Sequence, residues 1–399
     1  MLIHSHKARG TVTKGDCAAP RDFKLVAIVA GEASGDLHGS NLVEAMKRLD
    51  PGIVFCGIGG KKMERAGVKI LTSSSDMAVV GLTEALYRLQ TIAKASRKLK
   101  SILKTNRPDL IILIDYPDFN IHIARTAKRL HIPVLYYISP QVWAWRKGRV
   151  RKIARRIDHM AVILPFEKAF YRHRGMKVDY VGHPLMDTCP QVVDQEQVIS
   201  RLGLNRGYPV VGLLPGSRKE EIRNLLPVMV KAGEILIRHY PGIRFLLPLA
   251  QTIDSEFVQP FIDDTPVDIR VIKEDIYEVL SACNLALVAS GTATLQTAIM
   301  GVPMVVVYKV SPISYWIGKI AVKVPYISLV NLVAGEEVVP ELIQDNVVPE
   351  RLARESITIL EDDVIREDMI NKLKGIKEGL GRGGASEKTA AIAVEMMRG

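Results

Sequence analysis

Residues 208–218, YPVVGLLPGSR, decide the fold. An apolar, β-branched run from Val210 to Leu214 breaks at Pro215-Gly216, and a helical pattern opens at about Lys219. This is a strand entering a helix through a tight loop, and it is a second beginning. Upstream, the runs KLVAIVA, IVFCGI, LIILI, VLYYI, HMAVIL and VDYVG alternate with helical patterns. That alternation calls for a parallel sheet wrapped by helices. It pauses at GHPLMDTCPQVVDQ (residues 182–195), which has turn residues and no clear period. After residue 208 it resumes with IRFLLPLA, VDIRVI, LALVAS and VPMVVVYK.

The expected architecture is therefore α/β, with two Rossmann-like doubly wound parallel-sheet domains facing across a cleft. A chain of 399 residues is long enough for two cores. The boundaries expected are a loose extension over 1–22, a first domain over 23–185, a second over 186–365, and helices over 366–399 crossing back to the first. The extension mixes His, Lys, Gly and Pro without an apolar core segment, so it does not read as a signal peptide.

Composition narrows the function. Cys17, Cys56, Cys189 and Cys283 are scattered, which argues against a disulfide framework and against a thiolate metal site and fits a reduced, cytosolic setting. The uncharged stretch from Val279 to Tyr308 contains Asn284, Ser290, Gly291, Gln296, Gly301 and Pro303, so it reads as strand, turn, helix and strand, with no membrane span. A net charge of +11 favours an anionic partner: nucleic acid, a membrane leaflet or a phosphorylated substrate.

Ligands of open parallel sheets bind outside the carboxyl ends of the strands, so the loops after each apolar run hold the candidate chemistry. In PGSR, Gly216 allows close backbone approach, Ser217 can cap the following helix, and Arg218 offers a fixed positive fork to a phosphate. An ordinary strand-to-helix turn explains the same residues equally well. In ASGTATLQTA, Ser290, Gly291, Thr292, Ala293 and Thr294 place hydroxyls and amides at a helix start with no acidic side chain nearby. Two such loops in one domain point to a nucleoside diphosphate. No Walker sequence, D-x-D pair or H-E-x-x-H occurs, so neither ATP hydrolysis nor a protein metal site is expected, and no cofactor is implied.

In the first half, LIILIDYPDFN sets Asp115 at the end of an apolar strand, with Pro117 turning the chain. A partly desolvated carboxylate there can serve as a general base, or simply bond locally. Asp118 and Asn120 are expected to cap the next helix. GEASGDLHGS (Gly31–Ser40) has a phosphate loop's glycines, but Glu32 and Asp36 would repel phosphate. Trp143 and Trp145 precede a basic run from Arg146 to Arg156, which suits a membrane interface, a phosphorylated ligand, nucleic acid or a plain solvated helix. Val80, Leu82, Leu86 and Leu89 share a helical stripe with basic residues toward its far end; it either covers a core or docks on an anionic bilayer and holds acyl chains.

Taken together, VAGEASGD, IDYPDFN, SPQVWAWR, LPFEKAFY, VGHPLMD, LLPGSR, ASGTATLQ and ISLVNLVAG closely resemble the lipid A disaccharide synthase family over nearly the whole chain after the extension. The resemblance implies a GT-B glycosyltransferase. Such an enzyme joins UDP-diacylglucosamine to diacylglucosamine 1-phosphate with inversion and releases UDP. It makes Asp115 the base, sets Glu32 and Ser34 on the sugar side, and puts UDP at Gly216–Arg218 and Ser290–Thr294. It gives Asn331 a substrate-orienting role. Where many relatives carry Glu after the S-G-T-A-T-L run, this chain has Gln296, a neutral group for the ribose hydroxyls. It further implies a cytoplasmic protein bound peripherally to the anionic inner-membrane surface, a possible homodimer, and no nucleic-acid partner. The rival readings are a UDP-N-acetylglucosamine 2-epimerase and a basic nucleic-acid-binding protein.

Overall fold

The computed structural model describes residues 23–77, 85–143, 147–190, 193–204, 207–250, 253–273, 275–311, 315 and 324–398. Each apolar run read above forms a strand. The first sheet contains β1 (Leu25–Ala30), β2 (Val54–Gly59), β3 (Val68–Ser73), β4 (Leu110–Ile114), β5 (Val134–Tyr137), β6 (His159–Val162) and β7 (Val178–Tyr180), in the order β3-β2-β1-β4-β5-β6-β7. The second contains β8 (Val210–Leu214), β9 (Arg244–Pro248), β10 (Ile269–Ile272), β11 (Leu285–Ala289), β12 (Met304–Tyr308) and β13 (Glu341–Ile343), in the order β10-β9-β8-β11-β12-β13. Pairing is parallel in both. The central strands β1, β4, β8 and β11 are buried along their whole length, as helix-covered parallel strands must be.

In each sheet the strand order reverses once, between β1 and β4 and between β8 and β11. Register then fixes which loops become neighbours. Ala30 pairs with Ile114, so the loops beginning at Gly31 and Asp115 emerge side by side. Val288 pairs with Leu214, which does the same for the loops after β8 and β11. All four candidate loops thus leave the sheets at a switch point, where a crevice opens because the flanking helices go to opposite faces.

By contacts the chain divides into two compact units. The first comprises residues 1–140, 152–161 and 386–399, and the second 141–151 and 162–385. The last stretch is tied into the first unit by Lys24 Nζ donating to the Met397 carbonyl at 2.9 Å and by an Arg48–Glu387 ion pair of 2.7 Å. Two strands escaped the sequence reading: β3, whose residues are mostly half-exposed, and β13, only three residues long.

Candidate functional site

In the first unit, β4 delivers Asp115 from a strand with no exposed residue into a bend where both Asp115 and Tyr116 have φ of +44°. Left-handed backbone at two successive side-chain-bearing residues costs on the order of 1–3 kcal/mol each and persists only where the surroundings enforce it. Here the Asp115 carbonyl accepts from Asn120 Nδ2 at 2.6 Å and from the Tyr136 hydroxyl. Asn120 Nδ2 also reaches the Ile114 carbonyl at 3.1 Å. Asn120 does not cap the helix Pro117–Arg129, since its side chain donates back to the strand end, and the N-cap residue Tyr116 makes no side-chain cap bond. The expected capping role of Asn120 gives way to one on the strand end.

Burial, and then the negative charge of Glu32, push the Asp115 carboxyl from its ordinary 3.8 up to about 6, against a smaller pull from the Tyr116 amide. Glu32 is the exposed N-cap of the helix Ala33–Leu49 and makes no capping bond, and Ser34 is exposed on the first turn. A Cβ on Gly31 would lie 2.4 Å from the Tyr116 ring, so only glycine lets the two loops pack this closely. Asp36 does not serve its own helix. Its carboxylate is buried and accepts from the amides of Gly60 (2.6 Å), Lys62 (3.0 Å) and Met63 (3.1 Å), capping the helix Lys61–Arg65 instead. His38, which the sequence reading passed over, follows Ser34 by one turn, and burial together with Lys62 lowers it to about 4, leaving a neutral imidazole at pH 7.

In the second unit, Gly216 has φ of +111°. The helix Lys219–His239 begins at Arg218, and Glu221 supplies the cap expected of Ser217, accepting from the amides of Ser217 (3.0 Å) and Arg218 (3.2 Å). The same carboxylate holds the Arg218 guanidinium at 3.0 Å while 76% of that side chain stays exposed. A cation is thus aimed and accessible at the loop.

The helix Thr292–Ile299 starts at the N-cap Gly291. Ser290 Oγ donates to the Ile327 carbonyl at 3.0 Å, and the buried Thr294 hydroxyl donates to the Gly291 carbonyl at 2.8 Å. Thr292 is exposed, whereas Ala293 and Gln296 are half-buried.

Asn331 is fully buried. Its Nδ2 donates to the Val339 carbonyl and to Glu341 Oε1, both at 2.9 Å, and its Oδ1 accepts from the amides of Val338 (2.8 Å) and Val339 (3.0 Å). Glu341 in turn accepts from the amides of Ile327 and Ser328 and from the Ser328 hydroxyl. The amide of Asn331 therefore works on the chain, stapling segment 327–341 behind Ser290; it does not present itself to a substrate. Replacing Asn331 by Ala strands buried amides and a carbonyl, and is expected to cost about 3 kcal/mol in urea unfolding. A loss below about 1 kcal/mol, the typical effect of a single substitution, would show the staple to be dispensable.

Trp143 does not serve a membrane interface. It is buried, donates from Nε1 to buried Glu167 at 3.0 Å, and stands edge-on to Phe166 at 4.9 Å. Trp145 and Arg146 lie outside the described residues, as do Val80 and Leu82, and only the backbone of Leu86 and Leu89 is described, in the helix Ala85–Thr105.

The basic surface gathers on the first unit. Lys100 Nζ lies 2.5 Å from His122 Nε2, and Arg156 donates to the Ile121 carbonyl at 2.9 Å. Burial and the charges of Lys100, Arg156 and Arg125 lower His122, while burial, Arg125 and Arg129 lower Arg156. Like charges are concentrated there. Among the described residues no helix is long and apolar enough to cross a membrane, and no three His, Cys, Asp or Glu side chains cluster as metal ligands.

A family model described as lipid-A-disaccharide synthetase matches residues 26–394. The chain is 50% identical over 374 residues to the lipid-A-disaccharide synthase of Geobacter metallireducens, covering 94% of this chain and 97% of that one. It is 46% identical over 375 residues to that of Nitrosococcus oceani, covering 94% and 97%. Among solved structures, the UDP-GlcNAc 2-epimerase of Neisseria meningitidis bound to UDP-GlcNAc aligns with a TM-score of 0.63 at 12% identity, covering 93% of this chain and 99% of that one. Acinetobacter baumannii MurG aligns at 0.60 and 15%, covering 93% and 99%. At such identities the likeness is one of fold.

Proposed function

The chain belongs to the lipid-A-disaccharide synthase family, and on that premise we propose that Asp115 is the base of an inverting transfer from UDP-2,3-diacylglucosamine to 2,3-diacylglucosamine 1-phosphate. Its role is lipid A disaccharide synthesis by UDP-sugar-dependent glycosyl transfer. The epimerase and nucleic-acid readings are not favoured: identity is 41–50% to the synthases and 12% to the epimerase.

In the proposed step the acceptor's 6-hydroxyl oxygen bonds to the anomeric carbon while the bond from that carbon to the UDP oxygen breaks, the electron pair leaving with UDP. The hydroxyl proton goes to Asp115. The observation that carries this is the Asp115 carboxyl raised to about 6 at the switch point: still ionised at neutral pH, yet basic enough to take a proton. Charge developing on UDP meets Arg218 and the helix start at Ser290–Thr294. Glu32 and Ser34 contact sugar hydroxyls, and Gln296 takes the ribose.

Mixing the two acylated sugars with the protein is expected to release UDP and the tetraacyl disaccharide 1-phosphate; no UDP release sinks the reading. Replacing Glu32 by Gln removes one cause of the raised Asp115 value, so the acid limb of kcat/KM moves to lower pH and turnover falls while UDP affinity stays nearly intact. A large loss of UDP affinity would instead put Glu32 in the nucleotide site.

We further propose that the Lys100–His122–Arg125–Arg129–Arg156 cluster draws the protein to the anionic cytoplasmic leaflet, where its acylated substrates reside. Flotation with vesicles containing phosphatidylglycerol, lost at high salt and absent with phosphatidylcholine alone, is the expected result. Equal flotation with both would reject an electrostatic contribution.

A further inference from the structure

Resting on the reading of Asp115 as the base, we propose that Asn120 and Tyr136 are positioning residues, which clamp the Asp115 main-chain carbonyl so that the left-handed bend at 115–116 holds the carboxylate beside Glu32. Two donors on two different elements converge on one oxygen: Asn120 from the helix that follows, and Tyr136 from β5, the neighbouring strand. Both side chains are fully buried.

The amide of Asn120 shows where its free energy goes. Both contacts of Nδ2 fall on the carbonyls of Ile114 and Asp115, while Oδ1 is buried without a hydrogen-bond partner. An unpaired buried oxygen is costly, and a residue kept only to fill space in the helix would be better replaced by an apolar one. Asp at this position would be wrong for the same reason, since it would turn acceptors toward two carbonyls. Tyr136 pairs in register with Leu113, so its hydroxyl reaches two residues along β4 to meet the bend. Gly31 closes the other side, where the Tyr116 ring occupies the space a Cβ would need. Rotating the 115–116 peptide would therefore swing carboxylate and ring together, and the clamp resists that rotation.

The test compares Tyr136→Phe, Asn120→Ala and Asp115→Asn. In the first two, kcat is expected to fall roughly 10- to 100-fold, the usual consequence of a misplacement near 1 Å. UDP affinity and KM should change little, and the acid limb of the pH profile should shift to lower pH as the released carboxylate becomes better solvated. A merely structural clamp would lower unfolding stability and leave that limb in place. Tyr136→Phe removes a single oxygen and keeps the test sound if Asn120→Ala does not fold. Wild-type kcat and acid limb in folded Tyr136→Phe overturn the inference, as does lost activity with an unmoved limb. Full turnover in Asp115→Asn overturns the base assignment instead, so the two failures are told apart.

Discussion

Asp115→Asn is expected to lower kcat by roughly 10²- to 10⁴-fold, the range a general base contributes, with UDP affinity nearly unchanged. The wild-type profile of kcat/KM should fall on the acid side with a midpoint near the value of about 6 that burial and Glu32 impose, because the carboxylate accepts a proton only when ionised. The same shift has a consequence for stability, with a definite sign. The folded chain holds this proton more tightly than the unfolded one, whose value is near 3.8. The stabilising contribution is fully present below that lower value and is lost as pH rises through 6. At neutral pH the ionised Asp115 burdens the fold, and a neutral isostere relieves it by about 3 kcal/mol. Urea unfolding should then find the variant more stable than the wild type at pH 7.5, with the difference closing near pH 4. An inactive variant that gains nothing at pH 7.5 would mean the carboxylate is better solvated than its place at the end of β4 implies. Retained turnover would remove Asp115 from the chemistry.

The sheets were legible because buried parallel strands must be continuous apolar runs. LIILI and VVGLL have no other stable use in a helix-covered layer. β3 was not legible for the complementary reason: VKILTS interrupts its apolar residues with Lys69 and lies half-exposed, so its periodicity is diluted. Loop positions followed from strand ends, but side-chain assignments within them did not. Asn120 reads as a cap of the nearest helix and Asp36 only as a charge that would repel phosphate, since local sequence can name a polar residue type but not the partner it finds. Asp36 reaches 24 residues ahead to Gly60 and Asn120 reaches back to a strand end. Trp143 looked interfacial beside its basic run because nothing local announces that Glu167 waits to accept from its indole. Asn331 looked like a substrate contact for the same reason, although its four bonds all run to residues 338, 339 and 341. What sequence lacks in each case is the long-range partner, and polar side chains are the ones whose meaning depends on it.

Arg218 carries the second large effect. Its guanidinium is mostly exposed, yet it is not free to wander, because Glu221 holds it at 3.0 Å while also accepting from the amides of Ser217 and Arg218. An exposed ion pair of this kind adds little to stability, so removing the cation should cost the fold almost nothing. Its value lies in orientation: a preset fork over a helix start can meet diphosphate charge as it grows, with little reorganisation. Arg218→Ala is accordingly expected to lower kcat/KM by roughly 10²- to 10³-fold, comparable to losing an oxyanion donor, while unfolding stability changes by less than about 0.5 kcal/mol. Lys at the same position restores charge but not the fork, so rescue should be partial. Raising salt should weaken UDP binding to the wild type more than to the Ala variant, since only the former has this charge to screen. If Arg218→Ala binds UDP and turns over as the wild type does, the cation belongs to the helix cap alone, and the diphosphate must be sought at the Ser290–Thr294 helix start without it.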